Sequence, residues 1–206
     1  MWALVQDGAV TKTFNYGKGF VLNGNQYSAD IFMKWSKAEK EAIGIYEVIV
    51  DKSNYKDPAY YHNTNSTIAF ANGQVTESWG TATPRRLNDE NAVDQDGNPV
   101  LEDGIQVINY GLKTEKKRIV KDQAANLLAK TDWYIIKASD VADYTVPADI
   151  TTYRAAVRAK SNEMESMINA CGTIEDLKRL YDYVNTGTEQ NPVMTRPLGE
   201  WPEEVI

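Results

Sequence analysis

The sequence predicts an α+β protein: an antiparallel, hairpin-rich β region, then a helical hairpin with a third helix. Three observations predict it. Asp7-Gly8, Asn23-Gly24 and Asn72-Gly73 each sit between short apolar runs, and such pairs supply the positive φ that a type I′ turn needs at both central positions. Residues 45–50 are rich in β-branched side chains, which fit a pleated, half-buried surface. Past Thr114 the period changes: Val120, Ala124, Leu127 and Leu128 recur at i, i+4, i+7 and i+8, one apolar stripe of a helix.

Taken in order, residues 2–14 read as two strands around the first turn, 20–27 as a second hairpin and 67–79 as a third. Ser36 with Glu39 fits a capping box and predicts a short helix over 37–43, stopped at Gly44, with Trp35 stapling it to the sheet. Residues 87–112 hold six Asp/Glu and no Lys or Arg among Asn, Gly and Pro, and read as an acidic linker. Thr114 is the expected N-cap of the next helix, which ends near Thr131 and is followed by a short extended piece over 131–136. Pro147 suits the start of another helix, with Ile150, Tyr153, Val157, Met164 and Ile168 on its buried face and Gly172 after it. Thr173 opens a third helix, with Ile174, Leu177, Leu180, Tyr181 and Val184 in register. The expected organisation is therefore 1–86 as a β domain, 87–112 as linker, 113–185 as a helical domain and 186–206 as an extended tail with three prolines.

Composition excludes several functions. The chain of 206 residues carries a net charge of −7, which argues against a nucleic-acid binder that needs a basic face. No apolar run approaches the length of a membrane span, and the opening residues lack the pattern of a signal peptide. A single cysteine, Cys171, excludes an internal disulfide framework, and a single histidine, His62, excludes a multi-His metal site. No cofactor and no metal are expected.

The remaining chemistry is sparse. His62 has no recognisable nucleophile beside it, and Cys171 reads as a buried small side chain. Asp94-Gln95-Asp96-Gly97-Asn98 approaches a calcium loop, but Ile105 stands where the bidentate Glu belongs; a solvated acidic turn is the expectation. Arg154 and Arg158 lie four apart beside Tyr153 and Val157, spaced to fork onto carboxylates of a neighbouring helix or a partner. Twelve tyrosines and five tryptophans suit either an interface or a small β core. Trp201, in the tail, is a single large anchor of the kind that dominates small interfaces, and the tail is expected to dock on a neighbouring subunit or another protein.

Several of these segments together resemble a known family. The opening Trp2-Ala3-Leu4-Val5 with its turn, and Trp35-Ser36 leading to Ile43-Gly44-Ile45-Tyr46, are loosely similar to bacteriophage tail fibre assembly and tail assembly chaperone-like proteins. Leu127-Leu128-Ala129-Lys130-Thr131-Asp132-Trp133 resembles that family's LL-x-x-TDW signature, and Pro147 with Tyr153-Arg154 and Arg158 resembles its P-x-x-x-x-x-YR-x-x-x-R helix. The likeness is loose over 1–87 and closer over 112–170; the acidic segment is an insertion, and 171–206 extends past the usual end.

The resemblance implies a non-catalytic phage tail protein that binds a tail fibre or other tail component. It would be an assembly chaperone or a retained partner, acting in the host cytoplasm during assembly. The alternative is a permanent structural or adaptor subunit of the virion tail. Other tail proteins, and a homo-oligomer, are the implied partners. Asp132, Trp133, Tyr153, Arg154, Arg158 and Trp201 are the signature or partner-binding candidates. Physically, Trp133 is expected to close the base of the helical hairpin, Asp132 to cap or pair with Arg154, and Tyr153 and Val157 to pack on Leu127 and Leu128.

Overall fold

A computed structural model describes residues 1–15 and 17–205. It has the predicted α+β class, β-rich first and helical later. The chain divides into two compact units, Met1–Thr83 and Pro84–Ile206.

The first unit contains β1 (Trp2–Gln6), β2 (Ala9–Phe14), β3 (Phe20–Leu22), β4 (Asn25–Tyr27), α1 (Ile31–Lys34), α2 (Lys37–Ala42), β5 (Ile45–Asp51), β6 (Tyr61–His62), β7 (Ser66–Ala71) and β8 (Gln74–Trp79). β9 (Thr83–Pro84) lies at the boundary. All three expected hairpins form, with positive φ at Asp7 and Gly8, Asn23 and Gly24, and Asn72 and Gly73. Five strands make one sheet in the order β2-β1-β5-β8-β7. Its pairs are antiparallel except β5 with β8. The edge strands β2 and β7 also lie against each other, so the sheet curls.

Strand alternation then sorts the apolar side chains onto two faces. Ala3, Val48 and Val75 are buried on one, with Val5, Val10, Tyr46, Ile68 and Phe70 packed around them. Leu4, Phe14 and Ile45 face the other way and bury Phe20, Ile31 and Phe32, with Trp2, Tyr27 and Trp35 alongside. The capping box at α2 is complete: Glu39 N donates to Ser36 Oγ at 3.3 Å and Ser36 N to Glu39 Oε2 at 2.7 Å. Lys40 of α2 is buried with its Nζ 4.1 Å from the Trp2 ring centre, a cation–π contact within the usual range. Gly44 ends α2 at φ +79°, and a Cβ there would stand 2.5 Å from Val5 O, so this stop admits no side chain.

The second unit holds β10 (Glu90–Asn91), β11 (Leu101–Glu102), β12 (Ile105–Gln106), β13 (Ile108–Asn109), α3 (Leu112–Ala129), α4 (Asp132–Asp140), α5 (Ala148–Ala170), α6 (Ile174–Arg179), β14 (Val184–Asn185) and β15 (Met194–Thr195). Helices α3 and α5 pack together and bury Ala124, Tyr153 and Val157, with Leu127 and Leu128 against them, as the stripe predicts. Val120, Ile150, Met164 and Ile168 are buried too.

Four expectations are corrected here. The acidic segment is not a linker: it belongs to the second unit and is paired, β10 with β13 and β11 with β12. Its turn residues close small hairpins instead of leaving an unpaired connector. Thr114 is not the cap of α3, which starts at Leu112. The Asp89 carboxylate accepts from Gly111 N and from Thr114 Oγ1, both at 2.8 Å, so a residue more than twenty positions upstream satisfies the helix start. Residues 131–136 are not extended but enter α4. The third helix stops at Arg179, and Val184 pairs in β14 with β15.

The tail is also folded onto its own unit. Leu198 is buried and its N donates to Leu180 O at 3.0 Å. Trp201 packs on the Ala124–Tyr153–Val157 cluster and donates from Nε1 to Gln123 Oε1 at 3.1 Å. Glu204 pairs with Lys130. Apolar burial within the chain thus supplies what a partner was expected to supply; Ile206 lies outside the described residues.

Candidate functional site

The signature residues converge at the joint between α3 and α4. After Ala129 the helix ends without a proline or glycine, which leaves carbonyls at its C-terminus without helical partners. Thr131, fully buried at φ −113°, donates from its N at 3.0 Å and from Oγ1 at 2.9 Å to Leu128 O. Arg154 reaches the same joint from α5. Its Nη1 donates to Leu128 O at 2.8 Å and Thr131 Oγ1 at 2.6 Å, and lies 2.9 Å from Asp132 Oδ1. Asp132 thus pairs with Arg154, as expected. The guanidinium is buried, and its Nη1 is tied to a carbonyl, a hydroxyl and a carboxylate, the kind of pairing that lets a buried charge persist. Arg158, one turn on, is exposed and donates to Arg154 O at 3.4 Å; the carboxylate fork expected of it is not what it makes.

Tyr153 lies beside this joint, buried against Ala124 and Val157. Its hydroxyl has no hydrogen-bond partner among the described residues. Burial pushes the phenol above its ordinary pKa, and the Glu204 carboxylate adds to that while Lys130 opposes it. Trp201 sits over the same seam. A shallow cleft of about 300 Å³ opens there, lined by Gln123, Asn126, Leu127, Lys130 and Trp201.

Trp133 is the principal correction among the candidate residues. It does not close the hairpin: it is 49 % exposed on α4. Arg154 holds Thr131 and Asp132, and helix geometry turns the next residue outward. No residue of α4 is buried. Trp133 lies against Tyr134 with ring centres 3.8 Å apart and planes tilted by 33°, Ile136 is 61 % exposed, and Ile135 and Val141 are exposed as well. Lys137 Nζ lies 4.3 Å from the Tyr144 ring centre and 5.8 Å from that of Trp133. The result is a nine-residue helix anchored at its start that leaves Trp133, Ile135 and Ile136 exposed among Asp132, Lys137, Ser139 and Asp140. The sequence held a signal for it: Asp132 in the first turn and Lys137 in the last complement a helix dipole, and no breaker intervenes before Asp140.

The other candidate groups are structural. Cys171 is buried, its thiol pushed up chiefly by burial. Asp94 spends its carboxylate on its own turn, accepting from Asp96 N and Asn98 N at 2.9 Å. Those bonds, the one from Asn98 first, hold it below the usual carboxylate range. Among the described residues no group of three or more His, Cys, Asp or Glu is placed to hold a metal ion, and no helix is long and apolar enough to cross a membrane. No family model, curated protein or solved structure matches the chain.

Proposed function

We propose that this is a non-catalytic binding protein of the bacteriophage tail, which engages a tail fibre or other tail component through the exposed face of α4. It acts as an assembly chaperone in the host cytoplasm or stays with its partner in the virion tail. The observation that carries the reading is that α4 buries none of its residues yet is fixed at its first turn by Arg154. Exposed aromatic and aliphatic side chains on a rigid mount are what a protein interface uses, because little ordering entropy remains to be lost on binding. The motif resemblance supplies the tail context, and the same signature residues, Thr131, Asp132 and Arg154, build the mount.

The test is co-expression of the full chain with the tail-fibre protein of the same genome, followed by size-exclusion chromatography. A co-eluting complex is expected with the native chain. It should be lost in Trp133→Ala/Ile136→Ser, whose far-UV circular dichroism should match the native chain. No complex, or one that survives this variant, overturns the reading. Mass spectrometry of purified virions then separates a transient chaperone, absent from the particle, from a retained partner at stoichiometric level.

A further inference from the structure

Residues 92–107 form a small finger with polar groups inside and aliphatic side chains outside. Ala92 N donates to Val107 O, Val100 N to Ala92 O and Val107 N to Val100 O, at 2.8–2.9 Å. The Gln106 amide lies among the same three carbonyls, with Nε2 2.8 Å from Ala92 O, 2.9 Å from Val107 O and 3.2 Å from Val100 O. Two turns close the ends, one folded around the Asp94 carboxylate and one at Asp103-Gly104, both at positive φ. Hydrogen bonds, not a hydrophobic core, set the shape. The aliphatic groups point to water: Val93 and Leu101 are each 58 % exposed and Ile105 72 %. Such exposure does nothing for the finger's own stability, since the hydrophobic contribution scales with area removed from water.

A groove of about 510 Å³ runs along the finger, lined by Glu102, Asp103, Ile105, Val107, Ile108 and Tyr110. Its Glu102–Asp103 end is acidic, while the Arg118 guanidinium covers the Tyr110 end, 4.1 Å from the ring centre. Residues 87–112 carry six carboxylates and no Lys or Arg. Asp89, Glu90 and Asp94 are taken up by the helix start, by Arg86 and by the turn. Asp96, Glu102 and Asp103 stay exposed beside the aliphatic groups. We propose that the finger is a docking surface for a protein segment that alternates aliphatic side chains with Lys or Arg. The aliphatic groups fill the groove and the cations meet Glu102 and Asp103, since complementary potentials steer and register an encounter. Like charge disfavours a second copy of the finger as occupant. This inference stands on the finger alone and does not depend on the α4 reading or on the tail context.

The test titrates the isotope-labelled full chain with a short peptide alternating Lys and Val, read by amide chemical shifts. Saturable shifts confined to residues 92–110 are expected, weakened as salt rises. The dissociation constant should rise at least about tenfold in Ile105→Ser, whose melting temperature should equal that of the native chain. The inference is overturned by the absence of saturable shifts, by shifts centred on α4, or by an equal response to a peptide alternating Glu and Val. Self-association mapped to the finger overturns it as well. So does a drop of several degrees in the melting temperature of the variant, which would mean that this side chain serves the fold.

Discussion

In Met1–Thr83 tight turns set each hairpin and strand pairing then joins distant segments, β1 with β5 and β5 with β8, whereas in Pro84–Ile206 single polar side chains from far along the chain decide where a helix starts and ends. The first unit is three I′ hairpins and a capping box, and its aromatic side chains go inward: Phe14, Phe20 and Phe32 cluster with ring centres 5.0–6.1 Å apart. The second unit starts α3 with Asp89, ends it with Arg154 and covers it with Trp201. It also leaves one whole helix uncovered. Hairpins and strand pairing thus bury the apolar side chains of the first unit in two clusters, while in the second a few long-range polar ties hold up a helix that stays exposed. Breaking the ties and trimming the surfaces should have opposite outcomes.

The largest effect is expected at Arg154. Arg154→Ala leaves the end of α3, Thr131 and Asp132 without their donor. Removing one partner of a buried, hydrogen-bonded pair costs about 3–5 kcal/mol, and the lower part of that range applies because Asp132 is half exposed. Urea unfolding followed by circular dichroism should show the helical transition moving to lower midpoint. If that midpoint is unchanged, the joint does not depend on this tie.

Gly44→Ala tests the local rules of the first unit. The left-handed backbone costs roughly 1–2 kcal/mol with a Cβ, and the 2.5 Å approach to Val5 O adds to it. A loss of about 2 kcal/mol or more, seen as a lower melting temperature, is the expected outcome. A neutral result would show that β1 can move away from α2.

Trp201→Ala follows. The side chain is half-buried and loses its bond to Gln123, so about 2 kcal/mol is expected, below the roughly 3–5 kcal/mol of a fully buried aromatic. Calorimetry of the full chain decides. A melting temperature equal to that of the native chain would mean that the tail seat is not part of the core.

A smaller effect is expected from acid. The Gly111 N–H bond, ahead of that from Thr114, holds the Asp89 carboxyl below its usual range. A depressed folded pKa gives stability that is complete above the unfolded value of about 3.9 and fades as pH falls through the folded value. Asp89→Asn should flatten that part of the pH–stability curve. An identical slope in both proteins would rule out Asp89 as the acid-sensitive cap.

The smallest effect is expected at Trp133. An exposed residue away from special features changes stability by no more than about 0.5 kcal/mol. Trp133→Ala should therefore leave the unfolding midpoint in place. A loss near that of Trp201→Ala would return the residue to a core role and remove the support for α4 as a binding face.

What the sequence by itself determined is whatever is written within one turn or one period. The Asn-Gly and Asp-Gly pairs set the hairpins, Ser36 with Glu39 set α2, Thr173 set the start of α6, and the four-residue spacing of Val120, Ala124 and Leu128 set the α3 seam. Each depends on backbone sterics or bonds spanning only a few residues. The tertiary structure alone decided the sheet order with its parallel β5–β8 pair, the cap that Asp89 lends to α3, the inward course of the tail and the outward turn of Trp133. An aromatic side chain carries the same apolar area wherever it stands in the sequence. Whether that area is buried depends on which distant group arrives beside it. At Trp201 the arriving groups are Gln123 and the α3–α5 seam; at Trp133, Arg154 takes the two preceding residues and leaves the indole in water.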